Sequence, residues 1–192
     1  MTAVARTLTI ALHIGSLRRA AWSRRIADEL IALSPATLAL QAVPIGELPL
    51  YNADLETESP PAAWTAYRQA ITAADGLLFV TPEYNRGMTG ALKNAIDVAS
   101  RPYGKNVYNG KPAALVTLST GPLGGVAANH DVRRSLVTLN AATMAHPEMY
   151  LSHVNKLFEG ADGAGPLNPG TREFLAKFLT AFDTWARRYA AA

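Results

Sequence analysis

The segment GSLRRAAWS, residues 15–23, places the hydroxyls of Ser16 and Ser23 close in sequence to the guanidinium of Arg18, without any carboxylate. It follows an apolar run and leads into a stretch with helical spacing. At the amino end of a helix, unpaired backbone N–H groups and the helix dipole favour an anion. Ser16, Ser23 and Arg18 add donors that suit a phosphate monoester. The segment is therefore a candidate phosphate site.

A simpler interpretation of this segment is structural. Ser16 or Ser23 would only cap the helix, and Arg18 would be solvated. The sequence of the segment alone favours this structural interpretation. The phosphate site is favoured only when the expected position of the segment in the fold is considered as well. The segment has neither the GxxxxGKS/T nor the GxGxxG pattern, so a mononucleotide phosphate is favoured over a tightly held NAD or ATP.

A second candidate segment is PEYNRG, residues 82–87. As a simple turn, Pro82 would end a strand, Asn85 and Gly87 would adopt special backbone angles, and Thr89 would cap the next helix. A turn does not explain why Tyr84 stands beside Asn85 in irregular backbone. That pair suits a flat heteroaromatic ring with donors and acceptors along one edge.

The third candidate segment is STGPLGG, residues 119–125. Its glycines, Gly121, Gly124 and Gly125, would let the main chain approach a planar ligand closely. Backbone N–H groups there could stabilise negative charge on a reduced ring. This segment would form the wall opposite residues 82–87.

Apolar runs alternate with helical patterns along the whole chain, which indicates an α/β fold. The predicted strands are Leu8–Ile14, Leu38–Val43, 76–81, 113–118 and roughly 143–151. The predicted helices start near Trp22, near Ala62, after Thr89 and after Gly125, and the last spans residues 171–189. Pro147 cannot donate to a ladder, so the fifth strand is expected at a sheet edge. In the last helix, Phe174, Phe178, Phe182, Trp185 and Tyr189 form a stripe that we assign to the core.

These elements predict one domain, residues 1–192, with a flavodoxin-like, doubly wound, five-stranded parallel sheet of order 2-1-3-4-5 and helices on both faces. In this order strands one and three are neighbours, and the helices that follow them lie on opposite faces. A crevice then opens at the carboxyl ends of these strands. The three candidate segments all lie at that edge, so they are expected to form one site.

The composition excludes several other classes of protein. The chain has no cysteine, which excludes disulfides and thiolate metal sites and fits a reducing cytoplasm. The four histidines lack paired ligand spacing, so no metal site is expected. The net charge is +3, but the basic residues are scattered, which disfavours nucleic acid. No segment is long and apolar enough to suggest a membrane span or a signal peptide.

Several motifs resemble one known family in the same order along the chain. They are GSLR with Ser23, then TPEYN, GALKNAIDVASRP, GKP before strand four and the double glycine after it. At these residues the chain resembles the NAD(P)H-dependent FMN reductases, which include bacterial quinone and chromate reductases. Only the part from about His153 onward matches weakly.

The resemblance implies roles for particular residues. The FMN phosphate would be held by Ser16, Arg18 and Ser23. The isoalloxazine ring would be contacted, largely through backbone, by Pro82, Glu83, Tyr84 and Asn85, and bordered by Ser119, Gly124 and Gly125. The opening for the substrate would lie near Arg101. The resemblance also implies a homodimer or a homotetramer built as a dimer of dimers.

The implied activity uses FMN as cofactor and NAD(P)H as co-substrate. A hydride would pass to the flavin, and a small acceptor would then take the electrons in a ping-pong cycle. The acceptor could be a quinone, a free flavin, an azo or nitro compound, or chromate. No dedicated acid–base residue is expected, and Glu83 is expected to be solvated or capping rather than catalytic.

The chain also departs from the family pattern. Ala20 and Ala21 replace a common Gly-Ser pair, and Ser23 replaces a common asparagine, so FMN is expected to be held less tightly. Residues 86–89, RGMT, replace a segment that usually ends in proline. Val98 stands where tryptophan is common. These changes affect the expected substrate preference and not the expected fold.

Two other classes of protein can share this sheet order. A phospho-receiver module needs clustered acidic residues at the ends of strands one and three, and these strands end in HIGS and VTP. A flavodoxin-like electron carrier binds FMN without turning over a substrate, but such carriers tend to be acidic, whereas this chain is basic. Rapid bleaching by NAD(P)H in air would distinguish an enzyme from a carrier.

Overall fold

The structure is a computed structural model that describes residues 6–160 and 163–190. Its strands are β1 (Leu8–Ile14), β2 (Leu38–Val43), β3 (Gly76–Pro82), β4 (Pro112–Leu118), β5 (Ala142–Thr143) and β6 (Met149–Leu151). Its α-helices are α1 (Trp22–Leu33), α2 (Ala62–Ala73), α3 (Gly90–Ala99), α4 (Val126–Thr138) and α5 (Pro169–Ala190). No described helix is long and apolar enough to cross a membrane.

The strands form one parallel sheet in the order β2-β1-β3-β4-β5, with β6 also paired to β4. The predicted flavodoxin-like order is confirmed. In the centre of the sheet Ile14 pairs with Val80, and Thr81 pairs with Thr117. The carboxyl ends of β1, β3 and β4 therefore lie side by side at one edge.

Side chains along the central strands alternate between two apolar layers. Ile10, Leu12 and Ile14 of β1 face a cluster that includes residues of α1 and α5. Ala11, between them, faces the cluster formed with α2, α3 and α4. Because a central parallel sheet is covered on both faces, its strands are mostly apolar, with His13, Thr81 and Thr117 as buried polar exceptions. The helices after β1 and β3 thus lie on opposite faces, as the crevice requires.

The fifth position in the sheet differs from the prediction. Instead of one strand over 143–151, two short strands, β5 and β6, pair with different parts of β4. Pro147 lies between the two strands, where the sheet needs no hydrogen bond from its backbone nitrogen. The expected edge position is confirmed, and the expected continuity is wrong.

The aromatic stripe of α5 is only partly in the core. Phe178 and Phe182 are buried in the layer shared with α1, together with Leu175, Leu179 and Ala186. Phe174 is 43% exposed and Tyr189 is 38% exposed. Assigning the whole stripe to the core was wrong, because residues four apart drift around a helix of 3.6 residues per turn.

A buried polar cluster lies beneath the carboxyl edge of β1. His13 Nε2 lies 2.8 Å from the Tyr67 hydroxyl, which lies 2.6 Å from the Tyr108 hydroxyl. The imidazole stacks on Phe79 with ring centroids 4.5 Å apart. His13 is fully buried, and burial lowers the pKa of its imidazole to about 3. The histidine therefore remains neutral in the folded protein over the physiological range.

Candidate functional site

A cleft opens at the carboxyl edge of the sheet between the loops that follow β1, β3 and β4. It is lined by seven of the residues that the sequence singled out, namely Ser16, Arg18, Ser23, Pro82, Glu83, Tyr84 and Ser119. The three candidate segments therefore contribute to one cavity. Asn85, Arg101, Gly124 and Gly125 are not among its lining residues.

The β1–α1 segment presents an uncapped helix terminus to this cleft. The N-cap of α1 is Ala21, which has no side-chain hydrogen bond to offer, and the first turn contains no acidic residue. The interpretation in which Ser16 or Ser23 caps the helix is wrong, because Ser23 lies inside the helix and the Ser16 hydroxyl is 3.4 Å from Arg18 N. The first N–H groups of α1 are thus available to an acceptor from outside.

The Ser23 hydroxyl is buried and makes no hydrogen bond to any described residue. Ser23 is 1% exposed and lines the cleft. Buried hydroxyls without a partner are rare in folded proteins. Arg18 lines the same cleft, is exposed, and forms no ion pair with any described carboxylate. This donor set fits a phosphate group.

The segment after β3 is a tight turn. Tyr84 and Gly87 exchange two backbone hydrogen bonds of 3.0 Å each. The two residues between them, Asn85 and Arg86, have φ values of +49° and +64°, as a type I′ turn requires. The prediction of special angles is confirmed at Asn85 and wrong at Gly87, since Arg86 is the second left-handed residue. Tyr84, 50% exposed, lines the cleft, and Asn85 lies at the exposed tip.

Two carboxylates fasten this turn to α4. Glu83 Oε2 accepts hydrogen bonds from Ala127 N at 2.9 Å and Ala128 N at 3.2 Å, in the first turn of α4. Asp131 Oδ2 accepts from Met88 N at 3.0 Å. A carboxylate is stabilised at a helix amino terminus, so Glu83 has a capping role, as expected. Its side chain is occupied and is not placed to act as a base.

Gly124 and Gly125, at the end of the loop after β4, are packed closely against β4 and β6. A Cβ on Gly124 would lie 2.8 Å from the Tyr150 carbonyl carbon, and one on Gly125 would lie 3.1 Å from Leu118 N. Both glycines have positive φ, +59° and +78°. Packing and backbone conformation thus account for these glycines, and a close approach to a ligand is not needed to explain them.

Two further predicted residues have defined surroundings. Ser119 lines the cleft, and its Oγ accepts from Gly121 N at 2.8 Å. Arg101 lies in a groove between α3 and α4, next to Asp97 and Arg134, and not in the cleft. Arg101 was expected near the mouth of the cleft, and among the described residues it lines only the groove between α3 and α4.

Five further residues line the cleft without having been predicted to contact a ligand: Ala21, Trp22 and Thr120, which lie within the candidate segments, and Leu118 and Val154, which lie outside them. Trp22 was given a role only in the apolar pattern of α1. Its ring centroid lies 5.5 Å from that of Phe158, and the Arg25 guanidinium lies 5.2 Å from the Trp22 centroid and 3.7 Å from the Phe158 centroid. Arg25 also donates to the carbonyls of Gly163 and Gly165. A tryptophan directly before Ser23 is the signal that could have been used.

Comparison with known proteins gives the family. The family model described as NADPH-dependent FMN reductase matches residues 8–156. The chain is 49% identical over 179 residues to a quinone reductase of Pseudomonas putida, covering 93% of this chain and 95% of that protein. It is 41% identical to a 2-hydroxy-1,4-benzoquinone reductase of a Burkholderia species, covering 94% of this chain and 97% of that protein.

A solved structure agrees with these relatives. FerB, a flavoenzyme NAD(P)H:(acceptor) oxidoreductase from Paracoccus denitrificans, is 34% identical to this chain and superposes with a TM-score of 0.87, covering 95% of this chain and 99% of that one. The match to the enzyme family disfavours the electron-carrier alternative. The chain belongs to the NADPH-dependent FMN reductase family and is an enzyme whose cofactor is FMN and whose reductant is NAD(P)H.

Proposed function

We propose that the cleft holds FMN with its phosphate at residues 15–23 and its ring between residues 82–87 and 119–125. The observation that carries this proposal is Ser23 Oγ, a buried hydroxyl without a partner beside the uncapped amino terminus of α1. A phosphate oxygen would satisfy that hydroxyl and the N–H groups around it. Arg18 would offset the remaining negative charge.

The residues of the chain hold and shape the site rather than take part in proton transfer. Bound FMN supplies the redox chemistry, since it accepts a hydride from NAD(P)H and passes electrons to a second substrate. Of the titratable residues that line the cleft, Arg18 carries a fixed positive charge, Glu83 caps α4, and Tyr84 lies at the rim. We therefore propose that protons come from solvent.

We further propose that the acceptor is a small quinone and that the kinetics are ping-pong, with reductant and acceptor using the same opening in turn. The supporting observations are the half-exposed Tyr84 at that opening and the relatives named quinone reductase and 2-hydroxy-1,4-benzoquinone reductase. Free flavin, azo or nitro compounds and chromate are the other acceptors to be compared.

Two further proposals concern where the protein acts, which the cysteine-free sequence supports, and how it assembles, which rests on the family likeness alone. We propose that the protein acts in the cytoplasm and that it assembles as a homodimer or homotetramer. Light scattering of the purified protein in the presence of FMN measures its mass and tests the second proposal directly. A monomer at micromolar concentration would contradict it.

The proposed function is tested by purifying and desalting the protein. We expect retained or restored FMN absorbance that NAD(P)H bleaches, and repeated turnover when a benzoquinone is added. Double-reciprocal plots of initial rate against NAD(P)H concentration, measured at several fixed quinone concentrations, should give parallel lines if the cycle is ping-pong. A protein that is not bleached, or that is bleached once without turnover, would contradict the proposal.

A further inference from the structure

The carbonyl of Gly15 lacks the hydrogen bond that the sheet would ordinarily give it. Ile14 pairs with Val80, and Gly15 N donates to Val80 O at 2.9 Å. In a parallel ladder the next bond would run from the N–H of residue 82 to Gly15 O. Residue 82 is proline, which has no N–H. The last carbonyl of the β1 edge therefore needs a donor from elsewhere.

The hydroxyl of Thr89 supplies that donor. Its Oγ1 donates to Gly15 O at 2.5 Å, and the side chain is 3% exposed. The same oxygen accepts from Leu92 N at 3.3 Å and so caps α3. The hydroxyl is thus used as both donor and acceptor. It connects the first residue of the phosphate segment to the helix that follows the turn at residues 84–87.

The orientation of the Gly15 carbonyl determines the orientation of the next N–H. The peptide group between Gly15 and Ser16 is planar and trans, so its C=O and N–H point in opposite directions. With the carbonyl directed at Thr89, the Ser16 N–H is directed away from it. Among the described residues nothing accepts a hydrogen bond from Ser16 N, and Ser16 lines the cleft.

We infer that Thr89 is a positioning residue for the phosphate site. Its hydroxyl replaces the N–H that Pro82 lacks and so keeps the Gly15 carbonyl directed at Thr89. The Ser16 N–H, on the opposite side of the same peptide group, is then available to the phosphate. This inference rests on the proposed function, because it assumes that the cleft holds FMN. It concerns the phosphate end alone, so removal of the Thr89 hydroxyl weakens the binding of FMN but not that of riboflavin.

The test compares the full-length wild type with Thr89→Val and Thr89→Ser, each freed of flavin and titrated with FMN and with riboflavin by flavin fluorescence. Valine has nearly the same shape without the hydroxyl, and serine keeps the hydroxyl. Loss of one hydrogen bond to a charged group corresponds to a change of about tenfold in Kd. We expect a Thr89→Val Kd for FMN raised by about that factor, a riboflavin Kd that is unchanged, and a Thr89→Ser protein close to wild type.

A rescue variant separates this role from helix capping. Pro82→Ala restores an N–H at residue 82, so Pro82→Ala/Thr89→Val should bind FMN nearly as well as Pro82→Ala alone. If the only role of Thr89 is to cap α3, the double variant shows no such recovery, and that result overturns the inference. If Thr89→Val fails to fold, Thr89→Ala and the double variant are titrated in its place.

The remaining outcomes are also distinct. A Thr89→Val protein with an unaltered FMN Kd, or one that loses FMN and riboflavin affinity equally, overturns this inference while the proposed function stands. A wild type that binds neither flavin overturns the proposed function and the inference together.

Discussion

Acidification should destabilise the protein through His13, and the structure gives the size of the effect. The imidazole is fully buried between Phe79 and the Tyr67 hydroxyl. Burial lowers its pKa from the usual 6.5 to about 3. The informative perturbation is therefore a fall in pH from 7.5 to 5, applied to wild type and to a His13→Gln variant that has no titrating group at this position.

The sign follows from which state binds the proton. As the pH falls below 6.5, His13 is protonated in the unfolded chain but not in the folded one, so protons favour unfolding. Above pH 6.5 protonation of His13 has no effect on the free energy of unfolding. Between pH 6.5 and the folded pKa of about 3, the free energy of unfolding decreases as the pH falls. With these two pKa values, the loss by pH 5 is about 2 kcal/mol, and the full loss below pH 3 is roughly 4 to 5 kcal/mol.

Urea unfolding of the flavin-free protein at pH 7.5, 6 and 5 measures this loss. Glutamine is the matched variant because its side-chain oxygen can accept from Tyr67 in place of Nε2. All other titrating groups are the same in both proteins, so their contributions cancel in the difference. We expect wild type to lose about 2 kcal/mol more than His13→Gln between pH 7.5 and 5. Equal losses in the two proteins would refute the account of His13 as a buried neutral imidazole.

Three further results are expected. Arg18→Ala should raise the FMN Kd by about tenfold in a fluorescence titration, with little change in melting temperature, because Arg18 is exposed and unpaired in the described structure; an equal Kd would refute the phosphate assignment. Gly124→Ala should destabilise the fold by about 1 to 3 kcal/mol in urea unfolding, because its Cβ would lie 2.8 Å from the Tyr150 carbonyl carbon at a positive φ; an unchanged midpoint would contradict this. Phe178→Ala should cost about 3 to 5 kcal/mol, whereas Phe174→Ala, at a 43% exposed position, should cost less than about 1 kcal/mol by the same assay; similar costs would contradict the assigned faces of α5.

Most of the fold could be predicted because its signals are local. The central strands are continuous apolar runs, and the helices between them repeat with a period of 3.6, so the order of elements is legible along the chain. The right-handed crossover rule then leaves few topologies. The division of the last strand into β5 and β6 was missed, although Pro147 stands between them. That division depends on how each short strand pairs with β4, which no local pattern records.

The cleft was predicted less completely than the sheet. Ser16, Ser23 and Pro82 were found because parallel strands bring their carboxyl ends together. The reason for Gly124 was missed because it lies in contacts with Tyr150, 26 residues further along the chain. Thr89 was expected only to cap α3, and its bond to Gly15 spans 74 residues. Such contacts depend on the assembled fold. That residues 1–192 form one domain remains a prediction.

The most direct test of the central claim is a crystal structure of the protein with FMN. The account predicts the phosphate within about 3 Å of Ser23 Oγ and of Ser16 N, at the amino terminus of α1. It also predicts the flavin ring in the same cleft, beside Pro82 and Tyr84. A flavin bound elsewhere, with Ser23 Oγ still without a partner, would contradict it.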